Sequence, residues 1–237
     1  MKAQLLTAFG PDAPFELTEL PAPVLRPGYV LIKVSAASVN PADYKARELG
    51  HLLDFVPRLP ATLGMDVAGT VTEVGEGVGR FKAGDRVFGL VGGVSGLPGT
   101  LAEYVLADER LIAHAPASIP LSHAAALPLI SITAWQAIRD TGVKAGDKVL
   151  VFGGSGNVGR MGIQLAKLQG ANVGAVDHPG RTHTAAAAGA DIVFSTEERL
   201  EDIVSQYTGG QGFDLVFDTV GGANLPRAFA AARLAGT

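Results

Sequence analysis

No cysteine occurs anywhere in the 237 residues, which excludes disulfides and any thiolate metal site and fits a reducing compartment. Charge is also sparse: 18% of residues are Asp, Glu, Lys or Arg, with a net charge of −4. No Lys/Arg cluster is dense enough to neutralise a phosphate backbone, which argues against nucleic acid as a partner. Long apolar runs are missing too. The longest weakly polar stretch, Ala124 to Trp135, contains Pro128, Ser131 and Thr133 and is too short to span a bilayer. The segment Met1 to Gly10 lacks the apolar core of a signal peptide. The five histidines (His51, His114, His123, His178 and His183) show no metal-ligand spacing, and no Gly-x-Ser-x-Gly elbow follows a strand, as a Ser/His/Asp hydrolase would need. The expectation is a soluble, cytoplasmic protein with neither nucleic acid nor membrane as partner.

What is present is an ordinary globular composition, 47% hydrophobic, with 31 glycines and 14 prolines spread as punctuation rather than in repeats. Residues 1–117 read as β-rich. Runs such as Val30–Val34 and Val67–Val74 are bounded by turn signals at Pro27-Gly28, Gly75-Glu76-Gly77 and Ala83-Gly84-Asp85, which suggests a small barrel or sandwich. The segment 92–99 reads as a glycine-rich loop. From Leu121 the pattern changes: Ser122 is placed to cap a helix over Ala124–Leu127, Pro128 to interrupt it, and Ser131–Asp140 to resume it. Strands are then predicted at Lys148–Phe152, Asn172–Val176, Asp191–Phe194 and Phe213–Phe217. Helices are predicted at Asn157–Gln169, Thr182–Ala188, Glu197–Tyr207 and Leu225–Leu234. That alternation means βαβ units and a parallel sheet, so the two domains are 1–117 and 118–237.

Gly154-Ser155-Gly156-Asn157-Val158-Gly159 is a GxGxxG between an apolar strand and a helix. The first glycine permits a tight turn, the second lets the backbone approach a pyrophosphate, and the third lets helix and strand pack closely. The helix N-terminus offers free N–H groups and partial positive charge to the phosphates. Asp177, 18 residues beyond Gly159 at the end of the next strand, is placed to accept hydrogen bonds from the adenosine ribose and to repel a 2′-phosphate. A turn residue or helix cap is its plainer reading. Arg181 would act in the opposite direction by meeting a 2′-phosphate, so NAD(H) is favoured only modestly over NADP(H).

Beyond the loop, Asn40–Arg47, Gly64–Val71, Gly84–Gly89, Ala124–Pro128, Thr133-Ala134-Trp135 and Gly212–Gly222 follow an order that resembles the medium-chain dehydrogenase/reductase superfamily. The likeness is to its zinc-free, zeta-crystallin-like quinone oxidoreductase branch, and it covers essentially the whole chain. It implies an α/β protein with a GroES-like β-barrel domain followed by a Rossmann-like parallel sheet domain, and a homodimer when full length. Zinc relatives place cysteine at Asn40, histidine at Met65 and a further cysteine near Leu129–Ser131; here an amide, a thioether and non-ligating groups stand instead, and the four-cysteine lobe is absent.

The resemblance therefore implies no zinc, NAD(P)H as cofactor, and a quinone or an α,β-unsaturated carbonyl as hydride acceptor. It assigns Asn40, Tyr44 and Lys45 to catalysis and Thr133 to the nicotinamide side, with Tyr44 one position earlier than the tyrosine of zeta-crystallin-like relatives. Each has a structural alternative: Asn40 as a turn former, Lys45 with Arg47 as a solvated helix face, Thr133 as a cap. Asp43 and Asp66 are expected to pair with backbone N–H groups. Because a further parallel strand should follow Thr237, the chain is expected to be C-terminally incomplete. The competing expectation is a catalytically silent nucleotide-binding redox sensor or a structural, crystallin-like protein.

Overall fold

A computed structural model describes residues 1–94, 96–234 and 236–237. Ser95, inside the loop read at 92–99, and Ala235, after the last predicted helix, lie outside the described residues, as does the side chain of His51. The chain divides into two compact units, Met1–Leu129 and Ile130–Thr237.

In the first unit, the β-branched runs become antiparallel strands. β1 (Lys2–Leu6), β2 (Phe15–Glu19), β3 (Tyr29–Ala37), β4 (Ala61–Thr62), β5 (Asp66–Val74), β6 (Arg86–Leu90), β7 (Tyr104–Asp108) and β8 (Ile112–His114) build two sheets, ordered β7-β3-β5-β6-β8 and β2-β1-β4. Val30 and Ile32 of β3 alternate inward to meet Val67, Val71, Val87, Val105 and Ile112, the period-two burial that fixes the register of each strand. The helix α1 (Pro41–Leu49) leaves the end of β3.

The short helix α2 (Leu121–Ala124) corrects one expectation. Ser122 lies inside it and Pro120 precedes it, so Ser122 is not its cap. Pro128 does not interrupt a helix but begins one, α3 (Pro128–Asp140), because a residue with no N–H and a preset φ suits the first turn. Ala124 and Ala125 bury against Ala68 of β5, so the stretch 118–129 packs within the first unit.

The second unit alternates strand and helix: β9 (Lys148–Phe152), α4 (Asn157–Leu168), β10 (Asn172–Asp177), α5 (Thr182–Ala187), β11 (Ile192–Ser195), α6 (Leu200–Thr208), β12 (Leu215–Asp218) and α7 (Leu225–Ala231). All four strands are parallel, in the order β11-β10-β9-β12. On β9, Val149 and Val151 bury with Ile163 and Ala166 of α4, whereas Leu150 and Phe152 bury with Ile203 of α6 and Ala228 of α7. Both faces of the sheet are therefore covered, as buried parallel strands require.

In this unit, two helices fall short of their predicted spans by more than one residue. α6 starts at Leu200 rather than Glu197 because Ser195 and Glu198 close a turn, the Ser195 N–H donating to Glu198 Oε1 at 2.5 Å. α7 ends at Ala231 because the Phe213 N–H takes the Ala231 carbonyl at 2.9 Å and drives the chain back towards the sheet.

Candidate functional site

In a doubly wound sheet, ligands bind where the strand order reverses, outside the carboxyl ends of the strands. Here that point is the end of β9, flanked by β10 on one side and β12 on the other. Phe152 is level with Val176 and Asp218, so the loops after all three strands leave the sheet at one height. The glycine loop follows Phe152. A Cβ at Gly159 would overlap the carbonyl oxygen of Gly153, and one at Gly154 would lie 2.9 Å from the Ala175 Cβ. At Gly156 the same atom meets only the Gly153 carbonyl oxygen, at 3.2 Å, so the backbone is open to an incoming group. Gly156 is also the N-cap of α4, whose first turn contains Asn157, Val158 and Gly159. Asn157 is drawn to Arg160, whose guanidinium donates to its Oδ1 at 2.6 Å. The cradle fits a pyrophosphate: two glycines are consumed by packing and the third is left bare before a helix N-terminus.

Asp177 closes β10, 6% exposed, and its carboxylate reaches the loop. It accepts the Ser155 N–H on one oxygen and the His178 N–H at 2.8 Å on the other. The carboxylate thus braces the loop. Arg181, exposed after β10, donates its backbone N–H to the His178 carbonyl at 2.8 Å. A residue that sequence reasoning missed is Thr219, just beyond β12, whose hydroxyl donates to the Phe152 carbonyl at 2.8 Å. Its sequence signal was its place inside the Gly212–Gly222 motif, just after the fourth strand.

A separate polar cluster lies in the first unit, at the junction of β3, α1 and β5. Asp66, 0% exposed, accepts the Ser38 hydroxyl at 2.7 Å and the Asn40 amide at 2.9 Å on Oδ2, and the Leu129 N–H at 3.0 Å on Oδ1. The Asn40 amide also donates to Ser38 Oγ at 3.1 Å, while its backbone N–H goes to Asp43 at 2.7 Å. Asn40 is the N-cap of α1, with Pro41 in its first turn and Asp43 completing a reciprocal box. Burial pushes the Asp66 carboxyl above its usual range, opposed by its bonds from Ser38, Asn40 and Leu129. Burial also raises Asp43, opposed by the Asn40 N–H and reinforced by the negative charge of Asp66. Both aspartates pair with backbone N–H groups, as expected.

The three residues assigned to catalysis differ in exposure. Asn40 is buried in this cluster at 7% exposure, whereas Tyr44 is 47% exposed and Lys45 is exposed on α1. Thr133 is exposed on α3. Met65, at a zinc-ligand position of the resemblance, is buried. Among the described residues, no three His, Cys, Asp or Glu side chains are grouped closely enough to hold a metal ion.

Residues 26–117 match the alcohol dehydrogenase GroES-like domain and residues 157–237 the zinc-binding dehydrogenase family. An NADPH-dependent alkenal/one oxidoreductase of Arabidopsis thaliana is 37% identical over 229 residues, which cover 93% of this chain and 58% of that protein. An alcohol dehydrogenase superfamily protein from Novosphingobium aromaticivorans is 41% identical and superposes with a TM-score of 0.94, covering 100% of this chain and 71% of that one. The quinone oxidoreductase from Coxiella burnetii is 33% identical with a TM-score of 0.82, covering 100% and 74%. The chain spans less than two thirds of the length of the curated relatives it matches.

Proposed function

The chain belongs to the medium-chain dehydrogenase/reductase superfamily, and on that premise we propose that it binds NAD(P)H and serves hydride transfer to a quinone or an α,β-unsaturated carbonyl without zinc. The observation that carries this reading is the bare backbone at Gly156, held between the packed Gly154 and Gly159 at the start of α4. When bound, NAD(P)H supplies the hydride that an electron-poor carbon accepts. The loop receives the pyrophosphate on the N–H groups opening α4, where the helix end favours negative charge. Asp177 takes the ribose hydroxyls and inclines the site modestly towards NADH, while Arg181 supplies the counter-pull towards a 2′-phosphate. Thr133 is assigned to the nicotinamide side.

Zinc independence is supported by the donor chemistry at the family's ligand positions. The Asn40 amide is committed to Ser38 and Asp66, Met65 offers a thioether, and the chain has no cysteine. A site with no Lewis acid has nothing to lower the pKa of an alcohol, so reduction of an activated acceptor is the chemistry these residues suit. Asn40 holds the entry to α1 in shape, and Tyr44 and Lys45 present a hydroxyl and an ammonium to an acceptor oxygen. The same reading makes the full-length protein a cytoplasmic homodimer acting on a small molecule. Among the described residues, no helix is long and apolar enough to cross a membrane.

The test is fluorescence titration with NADH and NADPH, followed by oxidation assays against a panel of quinones and enals, before and after dialysis against chelator. Saturable binding and chelator-resistant turnover are expected. Binding with no turnover on any acceptor would favour the silent nucleotide-binding protein, and loss of turnover on chelation would overturn the zinc-free mechanism.

A further inference from the structure

We propose that Thr219 is a positioning residue for the phosphate loop: its hydroxyl clamps the end of β9 and so sets where the Gly156 backbone stands. The proposal rests on the reading of that loop as the pyrophosphate cradle. Thr219 doubly engages the Phe152 carbonyl, with its N–H at 3.2 Å and its Oγ1 at 2.8 Å, and Oγ1 also lies 3.4 Å from the Gly153 carbonyl oxygen. One peptide further on, Gly153 has φ +75, a left-handed conformation that favours glycine, and a Cβ there would lie 2.6 Å from Thr219 Oγ1. The threonine therefore fills the space that glycine leaves.

Gly153 is the pivot of the loop. Its N–H donates to the Val176 carbonyl at 2.9 Å, which ties it to β10. Its carbonyl accepts the Gly156 N–H at 3.0 Å and abuts Gly159. A shift of the Phe152–Gly153 peptide is thus passed directly to Gly156 and to the first turn of α4. The loop is held on the β10 side by the Gly153 N–H and by Asp177 on Ser155, and on the β12 side by the Thr219 backbone and hydroxyl. The hydroxyl is the part of that clamp a substitution can remove. It bridges the two loops flanking the point where the strand order reverses, across 67 residues of sequence.

Thr219→Val keeps the shape and deletes the hydroxyl; Thr219→Ser keeps the hydroxyl and deletes the methyl. Binding of NADH and of ADP-ribose, which shares the pyrophosphate but lacks the nicotinamide, should weaken about three- to tenfold in the valine variant, the size of one hydrogen bond. Both should recover in the serine variant, and adenosine, which has no phosphate, should bind all three proteins alike. Gly156→Val is run in parallel. If it binds ADP-ribose as tightly as the parent, the phosphate-loop reading itself is wrong. If Gly156→Val abolishes binding while Thr219→Val matches the parent, the loop reading stands and the positioning role of Thr219 is overturned. Equal weakening of adenosine in Thr219→Val would also overturn it, because the loss would then not run through the phosphates.

Discussion

Both carboxylate oxygens of Asp177 accept backbone N–H groups, from Ser155 and from His178. Each oxygen has a second lone pair, so bracing the loop and meeting a ribose hydroxyl are compatible roles. They separate on substitution. Asp177→Ser should weaken NADH and NADPH together by releasing the loop. It should also move the NADH:NADPH preference about tenfold towards NADPH by removing the charge, since 1.4 kcal/mol corresponds to a factor of ten. Paired titrations of parent and variant check this. An unchanged ratio with both affinities reduced would leave Asp177 as a brace only, with Arg181 deciding the cofactor.

At the scale of the element, a helix start can draw its cap from a distant strand. α3 opens with Pro128, and the N–H of its second residue, Leu129, is taken by Asp66 from β5 rather than by a neighbouring side chain. Asp66→Ala would strand that N–H together with the Ser38 hydroxyl and the Asn40 amide. A loss of about 2–4 kcal/mol is expected, read as a lower denaturant midpoint. A cost below about 0.5 kcal/mol would mean that water replaces the carboxylate without penalty.

The same contrast shows what was legible in the sequence. The strand, glycine loop and α4 were readable because each glycine answers a local demand. Asn40-Pro41-Ala42-Asp43 also spells a helix start, through an N-cap, a first-turn proline and a carboxylate at the third position, which the β-rich reading of residues 1–117 passed over. Ser38 with Asp66, and Thr219 with Phe152, join residues 28 and 67 positions apart. No periodicity announces such pairs, and they exist only once the strands are laid side by side. Pro128 was misread because a proline looks the same whether it ends one helix or begins the next.

For the whole molecule, the two units carry opposite acid responses. In the first, Asp43 and Asp66 have pKa values raised above 3.8, chiefly by burial. Their contribution to stability is fully present below 3.8 and is lost as pH rises through the folded values, because the folded state binds the extra protons. In the second unit, the Lys148 N–H and Arg233 hold Asp214 below 3.8; at Asp191, burial is outweighed by Lys167 and the Val173 N–H, with the same result. That contribution is present above 3.8 and disappears as pH falls through the folded values. Asp108, held at about 2 by Arg110 in the first unit, runs the other way; solvent screens its pair as it does those of Asp191 and Asp214, whose partners are also exposed, so the buried Asp43 and Asp66 set the contrast between the units. Acidification through pH 3.8 should therefore open the second unit first, seen as earlier loss of amide protection in β9 and β10 than in β3 and β5. Protection lost first from β3 and β5 would contradict the assignment.

The amide of Asn40, with one hydrogen bond to Ser38 and one to Asp66, has a chemical consequence of its own. Quinones and enals are Michael acceptors, and thiolates are strong nucleophiles that add to them readily. Where zinc relatives would present a sulfur, this chain presents a tethered carboxamide, and no sulfhydryl exists anywhere else to take its place. Within these 237 residues its proposed acceptors meet no thiol to alkylate.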